Sequence, residues 1–215
     1  MKTVEKKIEA VCLKAVDYRE KDKLLTLLCA EGKFTARVRS VRKPNAKLSM
    51  SAQPFCVGEY TLNGKGDFFT VIGAEPKENF FRFWEDVSCY AAASVITTVA
   101  EGITETAGDA RAETALTVKA LSAIAYGESA PSAAVLWFLA NAALLVGADW
   151  ETASDRHKKL FAGIARLKWD EIGTMELTVG EVSILIRKCM ENLNDFLSNP
   201  KAVYSALKLM DAQSN

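Results

Sequence analysis

The spacing of apolar residues changes once along this chain, near Pro76, and that change limits the fold more than any other feature. Before it, apolar and polar residues alternate in short runs, the period of strands with one buried face. Five runs qualify: Ile8–Val16, Leu24–Cys29, Lys33–Val41, Phe55–Leu62 and Phe68–Ala74. Glu31-Gly32 is expected to turn the chain between the second and third. Asn63-Gly64-Lys65-Gly66-Asp67 is expected to join the fourth and fifth, because Asn-Gly between alternating runs is a strong hairpin signal. Lys43–Pro54, with two prolines and several small residues, is the single long connection.

After Pro76 the spacing becomes three or four. Phe80, Trp84, Val87, Ala91, Val95, Val99 and Ile103 form one helical stripe of about six turns. A second helix is expected over Ala112–Ala125, and Pro131 opens a third at its first turn, with Gly147 just past its end. Thr178 and Glu181 make a capping box before a helix ending near Ser198, and Asn199-Pro200 starts the last one. The expected class is therefore α+β: a five-stranded barrel of the oligonucleotide-binding (OB) type over residues 1–78, then an all-α helical domain over 79–215. No Ser/Gly-rich linker separates them, so the two are expected to be packed domains.

Charge distinguishes the halves. The chain holds 27 basic and 27 acidic residues, but residues 1–80 carry 15 basic and 10 acidic ones and the remainder 12 and 17. The excess is concentrated between Gly32 and Gly58, where Lys33, Arg37, Arg39, Arg42, Lys43 and Lys47 occur without one acid. Alternation puts Lys33, Thr35, Arg37 and Arg39 on one face of a strand and Phe34, Ala36, Val38 and Ser40 on the other. Charges on an edge strand can serve merely to block edge-to-edge pairing. Solubility is served equally well by mixed signs, so a single-sign strip of this length points to a polyanion.

Five cysteines, at 12, 29, 56, 89 and 189, sit among apolar neighbours with no CxxC pair. Buried free thiols in a reducing cytosol follow. Met1–Ala10 lacks the apolar core of a secretory signal. The most apolar stretch, Ala133–Ala148, is 16 residues long, short of the roughly 20 a bilayer requires. A buried core helix and a cytoplasmic protein are expected, with no membrane partner.

Catalytic parts are few. The single histidine, His157, lies in the charged run Asp155-Arg156-His157-Lys158-Lys159, which reads as a solvated helix face. One histidine excludes two-histidine zinc motifs, and Gly64-Lys65-Gly66 is too short for a nucleotide loop. The expectation is no enzyme and no cofactor. Nucleic-acid binding has better support, since single strands are held by a cationic groove plus aromatic rings. Lys14, Arg19, Lys21, Lys23 and Lys65 could adjoin the strip, and the candidate rings are Tyr18, Tyr60, Phe68 and Phe69. Because Phe68 and Phe69 are consecutive, one must point outward from a strand. An RNA-binding module, or an adaptor that binds only proteins, stays open on these residues alone.

The run from Val16 to Leu28, VDYREKDKLLTLL, resembles the D-Y-x-E-x-D-[RK]-L-L-T-L-L signature of the bacterial DNA-repair RecO family. Glu31-Gly32-Lys33, Val41-Arg42-Lys43-Pro44 and Gln53-Pro54-Phe55 resemble that family's turn, basic segment and strand entry, in the same order. The helical half is similar mainly in pattern, including Leu-Leu-Val-Gly-Ala at 144–148. The resemblance implies an OB domain that binds single- and double-stranded DNA, followed by a helical domain. It implies a non-enzymatic mediator that anneals complementary strands. With RecR, such a mediator helps a RecA-type recombinase replace single-strand-binding protein (SSB), in a nucleoid-associated location. Lys33, Arg42 and Lys43 fall on the family's motif positions, with Arg37 and Arg39 between them. Many members carry a four-cysteine zinc module after the central helix. Residues 149–159 here hold no cysteine, so zinc is not expected and the helical domain reads as a trimmed one.

Overall fold

A computed structural model describes residues 4–65, 68–104, 108–148, 154–197 and 199–212. By internal contacts the chain forms two compact units. One is Met1–Phe80 together with Thr104–Thr114, and the other is Phe81–Ile103 together with Ala115–Asn215.

The first unit is built on five strands: β1 (Val4–Tyr18), β2 (Asp22–Cys29), β3 (Gly32–Val38), β4 (Val57–Lys65) and β5 (Phe68–Glu78). β1 is long enough to serve two neighbours. Its first half pairs with β4, from Val4↔Gly64 to Val11↔Val57, and its second half with β2, from Ala10↔Cys29 to Tyr18↔Asp22. A register irregularity between Cys12 and Lys14 lies where it passes from one to the other, the local bend that lets a sheet curl on itself. Parallel pairing of β3 with β5, from Thr35↔Phe68 to Val38↔Val71, completes the ring. The order β1-β2-β3-β5-β4 closes on β1, which is the topology of an OB barrel. Inward residues such as Ile8, Leu25, Leu27, Ala36, Leu62 and Val71 form its core.

Two expected turns are shifted or narrowed. Cys29 pairs with Gly32, so the β2–β3 turn is Ala30-Glu31, and Gly32 follows it with φ of +110°. Asn63 and Gly64 do not turn but continue β4, opposite Thr70 and Phe69. A side chain at Gly64 would come within 2.5 Å of the Phe68 carbonyl oxygen. The glycine is needed for close strand approach, not for a hairpin. The connection itself, Gly66 and Asp67, lies outside the described residues, as do the side chain of Lys65 and residue Ser198.

The second unit contains α1 (Arg82–Glu85), α2 (Val87–Ile103), α4 (Pro131–Leu145), α5 (Asp155–Arg166), α6 (Val179–Leu193) and α7 (Pro200–Ala212). It also holds most of α3 (Arg111–Tyr126). α4 is buried on nearly every side, from Ala134 to Ala143 apart from half-buried Asn141. It packs against α2, α5 and α6, the role of a helix apolar all round. Pro131 occupies its first turn and Gly147 lies beyond its end with φ of +65°. Thr178 and Glu181 form both halves of a capping box. Asn199 Oδ1 accepts the Ala202 N–H at 3.2 Å.

The single stripe expected from Phe80 to Ile103 is two helices. Asp86 leaves helical geometry, and its Oδ1 accepts the N–H groups of Ser88 (2.7 Å) and Cys89 (3.0 Å), starting α2 afresh. Trp84 and Val87 are consequently exposed while Ala91, Val95 and Val99 are buried. Among the described residues no helix is long and apolar enough to cross a membrane.

Candidate nucleic-acid interface

Six basic residues were expected to share a strip, and the barrel sorts them into different situations. β3 ends at Val38, with Ala36 and Val38 buried and Thr35 exposed, so the alternation holds that far. Lys33 is half-buried opposite Leu28. Arg37 is committed to Asp22. Its Nε donates to Oδ2 at 2.8 Å and its Nη2 donates to the same oxygen. The other carboxylate oxygen, Oδ1, accepts the Ser40 N–H at 2.7 Å, where the backbone has φ of +54°. The Ser40 N–H, and then the Arg37 guanidinium, hold the Asp22 carboxyl below its usual range. Arg37 also lies 5.7 Å from the Tyr18 ring, with Arg19 5.1 Å from it.

The segment beyond β3 is not a loose linker. Arg42 N–H bonds to the Lys21 carbonyl (3.1 Å), Lys23 Nζ to the Ala52 carbonyl (3.2 Å), and Tyr60 Oη to the Ser51 carbonyl (2.9 Å). Val41 and Ala52 enter the barrel core. Tyr60 is therefore a fully buried tie and not a stacking ring, and Phe69 is buried as well. Of the consecutive pair, Phe68 is the outward one, half exposed.

Held in this way, the segment overhangs the outer face of β1, β4 and β5 and forms a cleft of about 740 Å³. Arg39, Lys43 and Lys47 line it, together with Lys7 of β1, Ile72 of β5, and the acids Glu59 and Glu75. Lys7 is paired with Glu59 at 2.9 Å, which raises the lysine's pKa and lowers the glutamate's. Among the described residues Arg39, Lys43 and Lys47 make no ion pair, and all three are exposed. Arg42 stands apart, its guanidinium 3.1 Å from Asp17 and both groups open to solvent. Such a pair exchanges readily for another anion. Lys7 and Ile72 escaped the sequence reading. Alternation could have turned both outward, but only the β1–β4–β5 register puts them beside the basic segment.

The remaining candidate chemistry is accounted for structurally. His157 Nδ1 lies 3.0 Å from Ser154 Oγ at the start of α5, whose first turn that serine caps. All five cysteines are buried free thiols, and burial pushes the Cys12 and Cys189 thiols well above the usual range.

The five strands thus form a closed barrel of OB topology, and unpaired basic side chains converge on one cleft of its outer face. Residues 1–80 match the family model described as recombination protein O N terminal. The barrel is thus similar to the N-terminal domain of recombination protein O (RecO). Its relatives include the DNA repair protein RecO of Desulforamulus reducens, 32% identical over 124 residues, which are 57% of this chain and 48% of that protein. The Heliobacterium modesticaldum protein of the same name is 38% identical over 87 residues, 40% of this chain and 32% of its own length. That of Syntrophomonas wolfei is 44% identical over 59 residues, 26% of this chain and 24% of its own length. The matched regions thus span half or less of these relatives. The family and its relatives are named for recombination and repair, not for a catalysed reaction.

Proposed function

We propose that the protein is a non-enzymatic DNA-repair and recombination mediator. Its barrel binds single- and double-stranded DNA, anneals complementary strands and, with RecR, helps a RecA-type recombinase onto SSB-coated DNA. The observation that carries this reading is the cleft lined by Arg39, Lys43 and Lys47 on a barrel similar to the RecO N-terminal domain. Three unpaired cations on a fixed scaffold neutralise phosphates of one strand and lower its repulsion for a second. Base pairing then supplies the free energy of annealing. Lys33 and Arg42 lie outside the cleft's lining and add positive charge to the same barrel. Arg37 acts indirectly, by holding with Asp22 the turn from which Arg39 to Lys43 depart.

In the helical unit, an apolar groove of about 700 Å³ lies between α5 and the segment 175–177. Leu160, Ile164, Leu167 and Met175 line it, with Lys159, Glu176 and Arg156, the last paired with Glu181 at 3.0 Å. Its apolar lining suits an apolar peptide segment, and this supports a protein partner alongside DNA.

The deciding experiment is DNA binding by the full chain across a range of salt concentrations. Each phosphate contact contributes about 0.7–0.9 to the log–log slope. Replacing Arg39, Lys43 and Lys47 together by alanine is expected to flatten that slope by roughly two to three units. A folded triple variant with the wild-type slope would remove the cleft from the proposal.

A further inference from the structure

Phe68 and Phe69 are neighbours in sequence and lie on opposite sides of the barrel wall. Phe69 is consumed by the interior, packed edge-on against Phe34 with ring centroids 5.6 Å apart, and Lys6 Nζ sits 3.7 Å over the Phe34 ring. Phe68 is left 50% exposed on the outer face, at the start of β5. A single exposed ring needs no explanation, but this one has a particular position. Along the same strand Ile72 is also 50% exposed, and it lines the basic cleft. Four residue steps along the strand set the two about 13 Å apart, the length of some four stacked nucleotides at about 3.4 Å each. Beside Phe68 in the parallel pair is exposed Thr35 of β3, whose hydroxyl can serve a base edge.

Resting on the DNA-binding reading above, we propose that Phe68 is a base-stacking platform, so that the site takes single-stranded DNA. Phosphates occupy the Arg39–Lys43–Lys47 cleft, and an unpaired base lies over the Phe68 ring. In a duplex the faces of each base are covered by its neighbours, so a protein ring can be used only by an unpaired one. The strand fixes the backbone that carries the ring, and a phenylalanine has only two side-chain torsions to restrict on stacking.

The test is fluorescence anisotropy with the full-length chain, a labelled mixed-sequence oligonucleotide and the same oligonucleotide as a duplex. Phe68→Ala is expected to weaken single-strand binding roughly 5- to 150-fold and to leave duplex affinity and the salt slope unchanged. Phe68→Leu keeps much of the apolar area and guards against a folding artefact. It is expected to reproduce the loss, because it lacks a π-face. With 2-aminopurine in the strand, wild-type binding is expected to quench the fluorophore and both variants to bind without quenching. Equal losses on single strand and duplex, wild-type affinity in either variant, or unchanged quenching would each overturn the stacking role. Cleft variants that weaken binding while Phe68 variants do not would overturn this inference alone. Absence of any wild-type DNA binding would overturn it together with the function it rests on.

Discussion

Arg37 and Arg39 are two residues apart with the same charge, yet the fold assigns them different work. The first has Asp22 as partner, and the second faces a cleft with no acid bound to it. Arg37→Ala is therefore expected to weaken DNA binding modestly, by loosening the Ser40 turn, without flattening its salt dependence. Arg39→Ala is expected to flatten it by about one unit. Titrations of the two single variants over a salt series check this. Asp22 also makes a prediction about acid. Its carboxyl is held low by the Ser40 N–H and by Arg37, so the folded state binds a proton less readily than the unfolded chain. The stabilisation is fully present above the ordinary aspartate value of about 3.9 and is lost as pH falls through that value and below. Thermal melts should show Asp22→Asn less stable than wild type near neutrality, with the difference shrinking in acid.

At the scale of elements, what could be read from the sequence was whatever local chemistry decides. Pro131 sits in a first helical turn because its fixed φ and missing N–H suit that position, and the Thr178–Glu181 box and the Asn199 cap sit where their own hydrogen bonds place helix ends. The alternation from Lys33 to Val38 gave the correct faces because one side of that strand is core. Two local features were misread, and the arrangement of the site needed partners distant in sequence. Asn63-Gly64 looks like a turn because its glycine answers a requirement imposed by Phe68 across the pair. The stripe from Phe80 looked continuous because Asp86 conceals a helix start between apolar residues. Of the candidate site, the basic segment was legible, but the commitment of Arg37 to Asp22 and the arrival of Lys7 were not, since both depend on strand pairing. Two expected outcomes follow. Gly64→Ala should cost about 1–3 kcal/mol in a urea melt, as an overpacked contact against backbone. Asp86→Ala should cost about 1 kcal/mol, with helical signal lost near the start of α2.

For the molecule as a whole, the DNA-binding and partner-binding proposals rest on different units and should separate. Leu160→Asp in the α5 groove is expected to leave annealing of naked strands intact and to slow annealing of SSB-coated ones. Equal effects on both substrates would deny the groove its part. The barrel itself has a further property. The Thr104–Thr114 segment returns to it, with Gly108 N–H and Ala110 N–H donating to the Glu31 and Ala30 carbonyls at 3.3 and 3.0 Å. The barrel is thus not a contiguous cassette. A fragment ending at residue 80 would strip two acceptors at the β2–β3 turn of their donors, and a graft of those 80 residues into another protein would carry the same defect. Modularity at the level of sequence and modularity at the level of structure part company here. A transplanted barrel keeps these two bonds only if the return segment is supplied along with it.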